Sequence, residues 1–138
     1  MYILLKEQGI DARLYIGECE HGSFAFDHSW VEINGEVVDA AISLTSIQGM
    51  SFSPVLRNID LESGEKTKII YGVHSGRGYD QSSSTIRDLP LCMYMDNFPN
   101  HPEGLWGIAK DIGTRLRIKT NLVKMKGKCG LTNWEEYA

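Results

Sequence analysis

His28-Ser29-Trp30-Val31-Glu32-Ile33-Asn34-Gly35-Glu36-Val37-Val38-Asp39 decides how this chain reads. Apolar and polar residues alternate on both sides of Asn34-Gly35, and Asn-Gly is the strongest short-range signal for a two-residue hairpin, because both positions accept positive φ. With those two as the loop, Ile33 faces Glu36, Trp30 faces Asp39 and His28 faces Ala41. His28 and Asp39 are then diagonal neighbours on one face, roughly 7 Å apart along the backbone and within side-chain reach. A carboxylate held against an imidazole supplies the base and the orienting group of a nucleophilic triad.

Outward from the hairpin, Arg13 to Cys19 alternates as a preceding strand, Glu20 to Ser23 is polar and turn-like, and Phe24 to Ile33 returns. Glu36 to Ser43 is the third strand of an antiparallel meander. Residues 1 to 8 read as the end of a helix, with Gly9 as its stop. Val55 to Leu61 and Lys66 to Tyr71 read as two more strands, 74 to 84 as a Gly/Ser loop, and 90 to 102 as loop or short helix. Leu105 to Leu116 carries helical spacing, and the polar stretch from Gly127 to Ala138 is expected to fray. The expected fold is α+β in one domain, residues 1–138: an antiparallel sheet, an N-terminal helix remnant and a C-terminal helix.

Composition narrows the function. The 138 residues suffice for a real core. Eighteen acidic against fourteen basic residues give a net charge of -4, the reverse of the excess that phosphate binding needs, so nucleic acid is not an expected partner. The basic residues from Lys110 to Lys128 read as a solvated face. No run approaches the ~18 apolar residues of a membrane span, and the N-terminus lacks the pattern of a secretory leader. Three widely spaced cysteines, Cys19, Cys92 and Cys129, suit free thiols in a reducing compartment, so a soluble cytoplasmic protein is expected.

Gly9-Ile10-Asp11-Ala12-Arg13, a strand ending near Gly17, His28-Ser29-Trp30-Val31-Glu32 and Val38-Asp39, in that order, resemble the transglutaminase-like superfamily of cysteine enzymes. The resemblance covers residues 1 to about 43; the remainder is not aligned. It implies a papain-like cysteine-enzyme core acting on an amide or peptide-like acyl group, without a cofactor. His28 would be the base and Asp39 its orienter, and Trp30 matches the motif as a candidate substrate-binding residue. Asp11 stands where the family has proline, Ser29 where it has alanine, and the hairpin is unusually short. The resemblance also implies a cysteine at the start of the preceding helix, roughly four turns before Gly9, a count that falls ahead of Met1. The expectation is therefore a His-Asp half-site whose sulfur is missing. A shortened helix would leave apolar sheet surface bare, for which a second copy in a homodimer is the expected cover.

Other constellations compete. Cys19 is the thiol nearest the motif and the candidate surrogate nucleophile. With Glu20 to Ser23 as the turn it would lie about four residues, roughly 13 Å, from the level of His28. Ser23 and Ser29 are near in sequence only. Cys19, His21, His28 and Asp39 are acceptable metal ligands but match no strong zinc spacing, and no metal is assigned. His74 and Arg77 lie in a glycine-bearing loop able to meet an anion. His101 reads as a surface loop residue. Trp30, Phe24 and Phe26 can equally be core aromatics, and the His-Asp pair can be purely structural. The main alternative is a noncatalytic relative of the same fold binding a peptide or protein; the other is a small metal- or anion-binding protein.

Overall fold

The computed structural model describes residues 1–47 and 49–137. It is α+β, with a largely antiparallel sheet carrying helices on one face and an aromatic cluster on the other. Helix α1 (Tyr2–Glu7) ends as its sequence requires: Gly9 N–H donates to Lys6 O and Ile10 N–H to Leu5 O, both at 3.0 Å, the paired bonds of a Schellman stop.

Strands β1 (Ala12–His21) and β2 (Phe24–Ile33) form a long hairpin closed by Gly22-Ser23, and β3 (Glu36–Asp39) follows the Asn34-Gly35 turn. The first turn is two residues, not the four read from Glu20 to Ser23. This changes the register: Gly17 pairs with His28 and Cys19 with Phe26. The third strand stops at Asp39 rather than Ser43, because Asp39 Oδ1 accepts the Ile42 N–H at 3.1 Å and curls the chain into a 3-10 turn, Ala41–Leu44. Strands β4 (Ser46–Ile47) and β5 (Met50–Ser51) make a separate ribbon. The run read as one strand from Val55 to Leu61 is a hairpin, β6 (Val55–Leu56) and β7 (Ile59–Asp60), reversed by Arg57-Asn58 with both φ positive. Strand β8 (Ile70–Val73) completes the path β7-β6-β3-β2-β1-β8.

The second half is more structured than its composition suggests. Asp80 N–H is bound by Asp27, and the Asp80 carboxylate accepts from Ser83 N–H at 2.7 Å, so helix α2 (Gln81–Asp88) begins inside the stretch read as loop. Helix α3 (Leu91–Asp96) follows, then α4 (Gly104–Arg115), which coincides with the periodic run, and α5 (Leu122–Cys129). As far as Tyr137 the C-terminal stretch does not fray; Ala138 lies outside the described residues. Trp134 is buried, and β9 (Glu135–Glu136) pairs in parallel with β1, opposite Tyr15 and Ile16.

Leu14, Ile16 and Val31 face Ile3 of α1 together with Leu91, Met95, Trp106, Met125 and Cys129 from the later helices. The chain's own helices thus cover the sheet surface expected to be bare. Tyr15, Cys19, Trp30 and Val37 point to the opposite face, where they cluster with Ile42, Val55 and Ile69. No helix among the described residues is long and apolar enough to cross a membrane.

Candidate functional site

The site grows out of the period-2 alternation of β2. His28 falls on the same face as Phe26 and Trp30, and the short hairpin brings Asp39 back beside it. His28 Nε2 lies 2.7 Å from Asp39 Oδ2. The Asp39 side chain is 1% exposed and that of His28 11%, so the pair is shielded on the carboxylate side and reaches solvent only at the ring. Asp39 accepts three hydrogen bonds: from His28 Nε2, from the Tyr71 hydroxyl at 2.9 Å on the same oxygen, and from Ile42 N–H on Oδ1. Buried carboxylates persist when their lone pairs are met in this way. An ionised carboxylate can only accept, so against ionised Asp39 the Nε2 atom carries the hydrogen and Nδ1 is the nitrogen left to take up a proton.

Aromatic rings enclose the pair. Trp30 stacks on Tyr15 and meets Tyr71 edge-on, with centroids 5.8 and 5.2 Å apart, and its indole N–H donates to Glu32 at 3.0 Å. Only 2% of Trp30 is exposed, so it is a wall beneath His28 with no open face for a substrate. Gly17, opposite His28, leaves space for that indole: a Cβ there would stand 2.9 Å from Trp30 Cη2.

Cys19 is not four residues from His28. The two-residue turn places it one diagonal step away, on the same face, and the expected separation of about 13 Å is overturned by the register. Proximity does not make it a nucleophile. Cys19 is wholly buried, and burial, reinforced by the Asp39 charge, raises its thiol far above the ordinary range. It is a neutral S–H, and the thiolate is the attacking species. Burial also raises Cys129, while Cys92 is half-buried on the helix side.

The remaining candidates separate. Ser29 points to the helix face, donates to Tyr15 O at 2.8 Å and accepts from the Trp134 indole at 2.7 Å, so its hydroxyl is fully engaged there. Ser23 is an exposed turn residue. His21 packs edge-on against Phe52. Among the described residues no three His, Cys, Asp or Glu side chains converge as metal ligands, so the Cys19-His21-His28-Asp39 set is not a site. The His74–Arg77 loop already holds the protein's own carboxylates: Arg77 binds Asp27 at 2.6 Å, and Ser75 donates to Glu18 through both N–H and hydroxyl. His101 packs against Gly107 of α4 and lies 3.4 Å from Asp111.

Sequence reasoning missed Tyr71, and a signal for it was present. A glycine directly after it inside a strand marks a bulge, and bulges redirect side chains. Helix α1 also lies where the hairpin alone could not place it, on the face opposite His28. A sulfur reaching Nδ1 would therefore approach from the aromatic side of the sheet. Comparison with protein-family models, curated proteins and solved structures finds no match to this chain.

Proposed function

We propose that this chain is a transglutaminase-like domain in which His28, oriented by Asp39, serves as the base for thiol-dependent acyl transfer from an amide or peptide-like group. The observation that carries the reading is the 2.7 Å contact of His28 Nε2 with a buried, triply bonded carboxylate, which leaves Nδ1 as the basic atom. In that chemistry Nδ1 takes the thiol proton as sulfur bonds to the acyl carbon. The carbonyl π electrons move onto oxygen and return as the leaving group departs with the proton from Nδ1. Asp39 stabilises the imidazolium between the two steps. Cys19 is too deeply buried and too weakly acidic to be that sulfur; the reading requires one from outside the described residues.

A small thiol in solution tests this directly. Thiolysis of an activated acyl ester by 2-mercaptoethanol should run faster with the protein than without it, and His28→Ala should abolish the difference. Equal rates for the parent chain and His28→Ala would refute the reading.

A noncatalytic peptide-binding role is the second reading. The observations favouring it are the position of α1 on the far face and the small exposed fraction of the His28 ring. It is distinguished by peptide binding that survives His28→Ala.

A further inference from the structure

We infer that Tyr71 is the positioning residue of the His28–Asp39 pair and that the bulge at Gly72 exists to deliver it. The role rests on the function proposed above, but the geometry is independent of any substrate. Across β1 and β8, Glu18 pairs with Val73 while Cys19 pairs with Tyr71, so one step on β1 spans two on β8. The extra residue is Gly72, at φ +75. Without the bulge, with Gly72 paired opposite Cys19 in a regular ladder, Val73 opposite Glu18 would put Tyr71 opposite Glu20, on the helix face, since a one-residue slip reverses every side chain. With it, Tyr71 falls on the face of Cys19, Trp30 and Asp39.

Gly72 is also a position only glycine fills. Its backbone is left-handed, and a Cβ would stand 2.1 Å from the Tyr137 ring. The strand breaks its ladder and gives up a side chain at one point, and what it gains on the sheet's aromatic face is a phenol donating to Asp39 Oδ2 at 2.9 Å. Burial and the adjacent carboxylate charge both hold that phenol protonated, so it remains a donor.

The consequence is specific. Tyr71 and His28 donate to the same oxygen, so the phenol fixes which carboxylate oxygen faces the ring and draws away part of its electron density. The charge of Asp39 is thereby shared between a neutral donor and the imidazole. The acceptor strength felt by Nε2–H is set by how strongly Tyr71 donates.

The test reads the His28 Nε2–H proton by NMR in protein carrying 15N-labelled histidine. In Tyr71→Phe the remaining Nε2–H···Oδ2 bond strengthens and the signal moves downfield. With 3,5-difluorotyrosine at position 71, a stronger donor, it moves upfield. A tyrosine that merely fills space would shift neither, and an unmoved signal, or shifts of the same sign in both proteins, overturns the inference. Should Tyr71→Phe fail to fold, the fluorinated protein decides, because it keeps both ring and hydroxyl. Thiolysis unaffected by His28→Ala, alongside opposite NMR shifts, would remove the proposed function and leave this positioning role standing.

Discussion

The two faces of one sheet solve different problems. On the helix side, Leu14, Ile16 and Val31 meet Trp106, Met125 and Leu91 in an apolar layer whose few polar groups have dedicated partners, such as the Trp106 indole on Asp96 at 2.7 Å. On the other side, a carboxylate is sealed among Tyr15, Trp30 and Tyr71 with an imidazole at its rim. The first arrangement is what apolar burial alone produces. The second places a desolvated charge in an aromatic setting, which costs free energy unless each lone pair is met. The contrast teaches that the helix face holds the fold while the aromatic face holds a chemical group in one orientation.

Substitutions on the two faces should therefore differ in kind. The largest loss is expected for Trp106→Ala, which empties a fully buried site and should reduce unfolding free energy by about 4 kcal/mol in urea denaturation. It should leave the imidazole resonances of His28 in place. Asp39→Ala should cost about 3 kcal/mol, because His28, Tyr71 and the Ile42 N–H all lose their acceptor. Unlike Trp106→Ala, it should displace the His28 signals. The double variant should be additive to within about 0.5 kcal/mol, as the sites share no partner; strong coupling would break the division into two faces.

Alkylation should also distinguish the two faces. Cys92, half-buried on the helix side, should react first with iodoacetamide in the folded protein, and the wholly buried Cys19 far more slowly. Rapid labelling of Cys19 would mean that the aromatic face opens.

The smallest effect concerns the loop joining β8 to α2. The hydrogen bonds from Ser75 hold Glu18 below the usual carboxylate range. A carboxyl depressed in the folded state contributes stability that is complete above its unfolded value and is lost as pH falls through its folded one. The urea midpoint should thus decline on acidification below about pH 4.5, and Glu18→Gln should make that decline shallower. An unchanged slope would show that Glu18 is not part of the loop's anchor.

Legibility followed separation along the chain rather than the division into faces. The Asn34-Gly35 hairpin, the α1 stop and the diagonal approach of His28 to Asp39 were readable because each depends on neighbours within a few residues. Helix α4 was readable from its period. The Cys19 register was misjudged because Glu20 and His21 are polar yet remain in the ladder, which shortens the turn by two residues. The C-terminal stretch was misjudged because its polar composition hides the burial of Trp134 and the pairing of Glu135 with Tyr15, both decided by segments far away in sequence. Tyr71 was missed for the same reason: its partner is 32 residues earlier.

The proposed chemistry requires that Asp39 hold His28 as the Nε2–H tautomer, with Nδ1 free to accept a proton. The 15N spectrum of the His28 ring in the neutral form tests it most directly. Nε2 should be protonated and pyrrole-like and Nδ1 bare and pyridine-like, with that preference lost in Asp39→Ala. A ring protonated at Nδ1, or an even mixture of tautomers in the parent chain, would contradict it.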